Sequence, residues 1–357
     1  MTATDRPYCA FLSLLRRSLW DTPLEEGLFP LSEDEWEALH AFAVRQAVSA
    51  VVFDSVSKMP REIAPSTALL ARWVLSVQRQ EDISVAMEAA VRVQAGWWRE
   101  AGITAVQLKG QSIAAFYPCP QHRMCGDIDW YFPTEGDWDA ALELVRSKSL
   151  ATEKDSDGDV HYVWEGIVVE HHRRWDHLSS ARSRRYLREM EADYDMVGEA
   201  NVLPAELNLL MINVHILKHA MVLGVGFRQV CDLAVMCRAL HDVVDAGRYR
   251  DMITRTGLEK WTEMMHSVLV DVLSMPEEYL PYPLENHRDI ARFTDLVMRD
   301  GNLGMHRDGD GYQGRGRLGR LAYMAGGYMD RAGLFLRYAP GEFISRGWNL
   351  LAGRLSR

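Results

Sequence analysis

The chain of 357 residues is long enough for two or three packed units around a sizeable core, and with 48% hydrophobic and 25% charged residues it is neither disordered nor fibrous in composition. A formal net charge of -10 excludes a protein that coats nucleic acid non-specifically, because neutralising phosphates takes clustered Lys and Arg. No apolar run approaches the roughly 20 residues that span a bilayer, and Cys9, Cys119, Cys125, Cys231 and Cys237 form neither a C-x-x-C pair nor a zinc-finger spacing.

An odd set of five cysteines reads as free thiols in a reducing compartment, and residues 1–17, with Asp5 and only short apolar stretches, lack a secretory pattern. A cytoplasmic protein without integral membrane association is expected. Residues 1 to about 98 are predicted to be helical throughout. Ser32-Glu33-Asp34-Glu35 is a capping box, and Trp36, Leu39, Ala43, Ala47 and Val51 after it recur at helical spacing. Pro60 and Pro65 precede a second long helix from Ser66, whose Leu70, Trp73, Val77, Met87 and Val91 form a stripe of the kind that packs a core.

Ala101-Gly102 ends that helix and leads into a predicted strand, Ile103 to Leu108. Lys109-Gly110 then makes a tight turn, Ile113 to Tyr117 a short helix, and a proline-bearing loop passes Arg123 before a second strand opens with Asp127-Ile128-Asp129-Trp130. Strand side chains alternate, so Asp127 and Asp129 share a face with Cα atoms about 6.5 Å apart, a spacing that suits a metal clamp. Carboxylates and substrate phosphates are the ligands Mg2+ prefers. In two-metal sites the ions lie about 3.5 to 4 Å apart and stabilise both oxygens of an in-line displacement. Gly110 lets the backbone approach a phosphate, and the amides opening the next helix attract anions.

A helix is predicted over Asp137 to Ser147, with Trp138, Leu142 and Val145 on one side. Asp155-Ser156-Asp157-Gly158-Asp159 lacks the closing glutamate of a calcium loop and reads as a solvated turn. His161 to Trp164 and Ile167 to His171, joined by Glu165-Gly166, form a hairpin signal. Glu170 reaches the aspartate pair if this hairpin lies beside the Asp127 strand. Beyond Pro204, helices are predicted over Glu206 to Met221 and Phe227 to His241 with Gly224 and Gly226 between them, and further helices are interrupted by Pro276, Pro281 and Pro283. Residues 301–320, rich in Gly and Arg, read as an exposed connection, and 321–357 as a segment packed on the body, with a membrane-surface or partner-docking helix as the alternative.

Lys109-Gly110, the short helix ending in Tyr117-Pro118, Arg123 and Asp127-Ile128-Asp129 resemble the uncharacterised nucleotidyltransferase family, a branch of the polymerase-beta-type nucleotidyltransferase superfamily. The superfamily pattern is a hydrophobic residue, Gly, then Gly or Ser, followed by two carboxylates around one apolar residue and a third carboxylate on a later strand. Lys109 stands here in place of the first Gly, and the loop to Asp127 is longer than in many members. The resemblance implies an α+β fold: a small mixed β-sheet core over residues 99–200, flanked by helical regions over 1–98 and 201–357. It places the third metal-site acid at Glu170. It also implies that the helix carrying His215 and His219, followed by Arg228 and Asp232, packs beside the active site.

The expected site is therefore Asp127, Asp129 and Glu170 as catalytic metal ligands for Mg2+ (or Mn2+), with a nucleoside triphosphate (NTP) as donor substrate. Lys109 beside Gly110 is a candidate phosphate partner, against the alternative of a surface lysine. Ser112 is either a phosphate ligand or a helix cap. Arg123 either neutralises the triphosphate or holds an Asp in place. His215 and His219, four apart on one helical face, have a spacing that can bind zinc but lack the glutamate of a His-Glu-x-x-His motif; with Asp232 they contact nucleotide or acceptor, or belong to a buried polar network. The basic run from His171 to Arg188 either steers a triphosphate or RNA toward the site or is a solvated helix face. The function expected is metal-dependent transfer of a nucleoside monophosphate (NMP) to a hydroxyl on a small molecule, a protein or an RNA end. A nucleotide-binding regulator of the same fold without turnover is the alternative.

Overall fold

In the computed structural model, residues 5–154, 158–194, 202–302 and 326–355 are described, with the side chains of 351–355 left out. Residues 155–157 of the acidic stretch, 303–320 of the Gly- and Arg-rich stretch and 321–325 lie outside the described residues. The helices of the amino-terminal region are α1 (Arg6–Trp20), α2 (Glu33–Arg45), α3 (Ser49–Val56) and α4 (Thr67–Glu100). Ser32 and Glu35 form the expected capping box of α2, and the Ser66 side chain caps α4. One helix was expected to carry the apolar positions from Trp36 to Val51. The chain instead breaks at Ala47, whose φ of 55° is incompatible with a right-handed helix, and Val51 belongs to α3.

Next come β1 (Val106–Leu108), the one-turn α5 (Gln111–Ala114), β2 (Asp127–Tyr131), α6 (Glu135–Ser147), β3 (Glu153–Lys154), β4 (Val160–Trp164) and β5 (Ile167–His172). The strands form one mixed sheet in the order β1-β2-β5-β4-β3. β4 and β5 pair antiparallel across Glu165-Gly166, both at positive φ, as a two-residue hairpin turn demands. β2 and β5 run parallel, with Asp129 opposite Glu170. After the sheet come helices α7 (Ala181–Glu191), α8 (Ala205–Val222), α9 (Phe227–Leu240), α10 (Ala246–Thr256), α11 (Glu259–Asp271), α12 (Ala291–Asp300), α13 (Ala332–Tyr338) and α14 (Pro340–Leu355). The fold is α+β, as its sequence implied.

Two apolar clusters bracket the sheet. On one face Ile128, Trp130, Phe132, Tyr162 and Val169 pack with Trp98 of α4 and Trp138 of α6. On the other, Val106, Leu108 and Tyr131 join a larger core built from α1 to α4 together with α8, α9 and α11. Burial of Ile128, Trp130 and Val169 fixes strand register, because a slip of one residue would exchange the two faces. The polar positions between them are thereby forced to the edge of the larger core.

Candidate active site

With Ile128 and Trp130 committed to the smaller core, Asp127 and Asp129 point the opposite way. Val169 and His171 do the same for β5: they send Glu170 and His172 to the aspartate face, and the parallel register sets Glu170 opposite Asp129 and His172 opposite Tyr131. Ligand atoms of Asp129, Glu170 and His172 all lie within 4.8 Å of one another. Asp127 sits two residues before Asp129 on the same face and is not part of that group. The hairpin thus brings Glu170 beside the aspartate strand.

Asp129 is 1% exposed. Its Oδ1 lies 3.0 Å from Lys109 Nζ and 2.7 Å from His172 Nε2, whereas Oδ2 is buried with no hydrogen-bond partner among the described residues. Burial alone would raise the Asp129 carboxyl, but Lys109 and His172 hold it well below the usual carboxylate range. Asp127 is shifted up, chiefly by repulsion from Asp129 and then by burial, and Glu170 is raised by burial and by Asp129. His172 donates from both ring nitrogens: Nε2 to Asp129 Oδ1, with Glu170 Oε2 3.5 Å away, and Nδ1 to Asp159 Oδ2 at 2.8 Å. Burial opposes charge on His172, yet these carboxylate partners push it up to about 9.

Lys109 leaves β1 with φ 39°, a conformation uncommon for a residue with a Cβ, and this turns its side chain onto the carboxylates. Gly110 follows at φ 56° and ψ -123°, a region essentially reserved for glycine. Ser112 closes the turn: its backbone N–H and its hydroxyl both donate to the Lys109 carbonyl, at 3.1 and 2.7 Å. The cap position of α5 is held by Gly110, so the capping role weighed for Ser112 is not the one it has.

Arg123 donates to both oxygens of Asp232, from Nε at 3.0 Å and from Nη2 at 2.7 Å, and the Tyr117 hydroxyl donates to Asp232 Oδ1 at 2.8 Å. All three are buried. Asp232, for which the sequence leaves both nucleotide or acceptor contact and a buried polar network open, is engaged in a buried strut that holds the loop before β2 against α9, and Arg123 holds this aspartate in place. Arg228 on the same helix donates to the Met124 carbonyl at 2.9 Å and acts electrostatically on Asp127. His215 and His219 on α8 meet edge to face with ring centroids 4.3 Å apart, and His177 lies 5.2 Å from His215 and 6.2 Å from His172. Burial first, then nearby positive charge, holds His177, His215 and His219 neutral. This row of imidazoles runs from the carboxylate cluster across α8.

His172, Asp159 and His177 were not singled out from sequence. For His172 the signal was present: Glu170-x-His172 repeats the alternation of Asp127-x-Asp129, but the residue was read as part of a basic run. Asp159 was read as solvated, and only the antiparallel pairing of β4 with β5 brings it to His172. Nothing local marks His177.

The donor set fits a divalent cation. It combines two carboxylates with an imidazole whose second nitrogen is oriented by a carboxylate, an arrangement that raises ligand basicity, and one buried carboxylate oxygen has no partner among the described residues. His172, charged between Asp129 and Asp159, would release its Nε2 proton on ligating an ion. No helix among the described residues is long and apolar enough to cross a membrane. Neither the curated proteins nor the solved structures compared with the chain gave a match. The family model described as uncharacterised nucleotidyltransferase matches residues 32–273, spanning α2 through α11 and therefore the whole sheet and every residue of the carboxylate cluster. The chain belongs to that family, and its role is nucleotidyl transfer.

Proposed function

We propose that the chain is a metal-dependent enzyme that moves an NMP from an NTP to a hydroxyl-bearing acceptor, releasing pyrophosphate. The observation that carries this reading is the β2–β5 register, which sets Glu170 and His172 beside Asp129, whose Oδ2 is buried without a hydrogen-bond partner among the described residues. Asp127, Asp129 and Glu170, with His172, would hold Mg2+ or Mn2+. Such an ion supplies Lewis-acid stabilisation of charge on the phosphoryl oxygens. The imidazole is foreign to the all-oxygen shell of most Mg2+ sites, so Mn2+ belongs in every test.

Lys109 and the Gly110 turn face the triphosphate in this reading, and Ser112 keeps the turn closed. The acceptor hydroxyl attacks the α-phosphorus in line; the bond from that phosphorus to the bridging oxygen breaks and pyrophosphate leaves. Glu170, raised by burial, is better placed to take the hydroxyl proton than Asp129, which Lys109 and His172 hold low. In this reading His177, His215 and His219, neutral and with ring nitrogens that have no partner among the described residues, contact nucleotide or acceptor. The acceptor is a small molecule, a protein side chain or an RNA end.

Pyrophosphate release from each NTP with Mg2+ or Mn2+, over a panel of the three acceptor classes, tests the proposal. The wild-type chain should release pyrophosphate with at least one pair, and Asp129→Asn should lower the rate by about 10^3-fold, the equivalent of roughly 4 kcal/mol of barrier. Metal-dependent NTP binding without release across the panel would favour the regulator of the same fold.

A further inference from the structure

The central carboxylate of the site is paired with an ammonium group. Lys109 Nζ sits 3.0 Å from Asp129 Oδ1, its side chain is 12% exposed, and Asp127, Asp129 and Glu170 all act on it electrostatically. The backbone is bent to put it there, since Lys109 has φ 39° where an extended residue would have carried the side chain along the sheet. Holding a residue other than glycine in that region costs about 1 kcal/mol or more, and such a conformation persists only where the surroundings over-determine it.

A pair of divalent ions about 4 Å apart needs a carboxylate free to offer an oxygen to each. Asp129, the carboxylate at the centre of this site, has one oxygen without a partner; the other is shared by Lys109 and His172. Among the described residues there is also a single convergent set of metal donors, and Asp127 is outside it. The charges point the same way: Lys109 acts on all three carboxylates and cannot diffuse away, and unlike His172, which would give up a proton to ligate an ion, it keeps its charge when the ion binds. A lysine ammonium is a compact point charge, the side chain best able to stand in for an ion.

We infer that this site is built for one divalent ion, with Lys109 supplying as a fixed charge what a second ion would supply. The inference rests on the metal-dependent reading above and deepens it. Lys109 is on this account a binding residue with two neighbours to satisfy, the carboxylates and the phosphates.

The test is a titration of the full-length chain with Mn2+ alone, read as loss of the free-ion paramagnetic resonance signal, which does not depend on turnover. Wild type should bind one Mn2+ per chain, Lys109→Arg should also bind one, and Lys109→Met should bind two. Two ions on the wild type, or a Lys109→Met chain that binds one with unchanged affinity, would overturn the inference and leave the metal site standing. Binding of no Mn2+ by the wild type would remove the metal-dependent reading and the inference together. Circular dichroism establishes that Lys109→Met is folded; should it not be, the counts for wild type and Lys109→Arg decide.

Discussion

Asp129 keeps its charge at 1% exposure because Lys109 and His172 converge on one of its oxygens, and its other oxygen is left for a ligand. His172 in turn is held by Asp159 at 2.8 Å, which places Nε2 toward the carboxylates. Partners of this kind tune a ligand without touching the metal. Asp159→Asn should therefore weaken Mn2+ binding by about 10- to 100-fold with little change in melting temperature; affinity equal to wild type, measured by calorimetry, would deny Asp159 that role. Alternation along a strand made the shared face of Asp127 and Asp129 legible in the sequence, whereas Glu170 follows only from the hairpin signal and the family resemblance. The contact of His172 with Asp159 was not legible, because it depends on which strands pair and in what register. Nor was the engagement of Asp232 by Arg123, two residues 109 positions apart.

At the scale of elements, the loop that delivers β2 is gripped from both sides. Arg123 ties it to α9, and His122 ties it to the amino-terminal helices: His122 Nδ1 lies 2.7 Å from Asp54 Oδ1 of α3 and Nε2 lies 2.9 Å from Glu81 Oε1 of α4. Burial disfavours the imidazolium, but hydrogen bonds to the two carboxylates outweigh it, and the group is raised above its ordinary value. A raised histidine contributes stability that is fully present below the unfolded value of about 6.5 and is lost as pH climbs through the folded one. Wild type should thus lose about 1 kcal/mol, allowing for the partly exposed carboxylates, between pH 6 and pH 9 relative to His122→Gln. Parallel urea-midpoint profiles for the two proteins would contradict the clamp. The capping box of α2, the long α4 and the β4–β5 hairpin were readable because each is encoded locally. The break at Ala47 was not, because the apolar spacing continues through it while the backbone reverses.

For the molecule as a whole, the amino-terminal helices α1 to α3 and the later helices α8, α9 and α11 share one core, and the sheet lies between that core and a smaller one under α4 and α6. The class of fold and the order of elements could be taken from the sequence. The shared core could not, since the two groups of helices are separated by the entire sheet region and no local pattern records their contact. This packing is what closes α8 and α9 over the aspartate face, so that Asp129, Lys109 and His172 meet with little solvent between them. The consequence is that cation and nucleotide should bind as a unit. Calorimetric titration with each of the four NTPs, with Mn2+ and then with excess chelator, on wild type, Asp129→Asn and Glu170→Gln, tests this most directly. The account predicts binding of at least one NTP with Mn2+, its loss in chelator, and affinity lower by at least about 10-fold, or 1.4 kcal/mol, in both variants; equal affinity with and without the divalent ion, or in wild type and both variants, would contradict it.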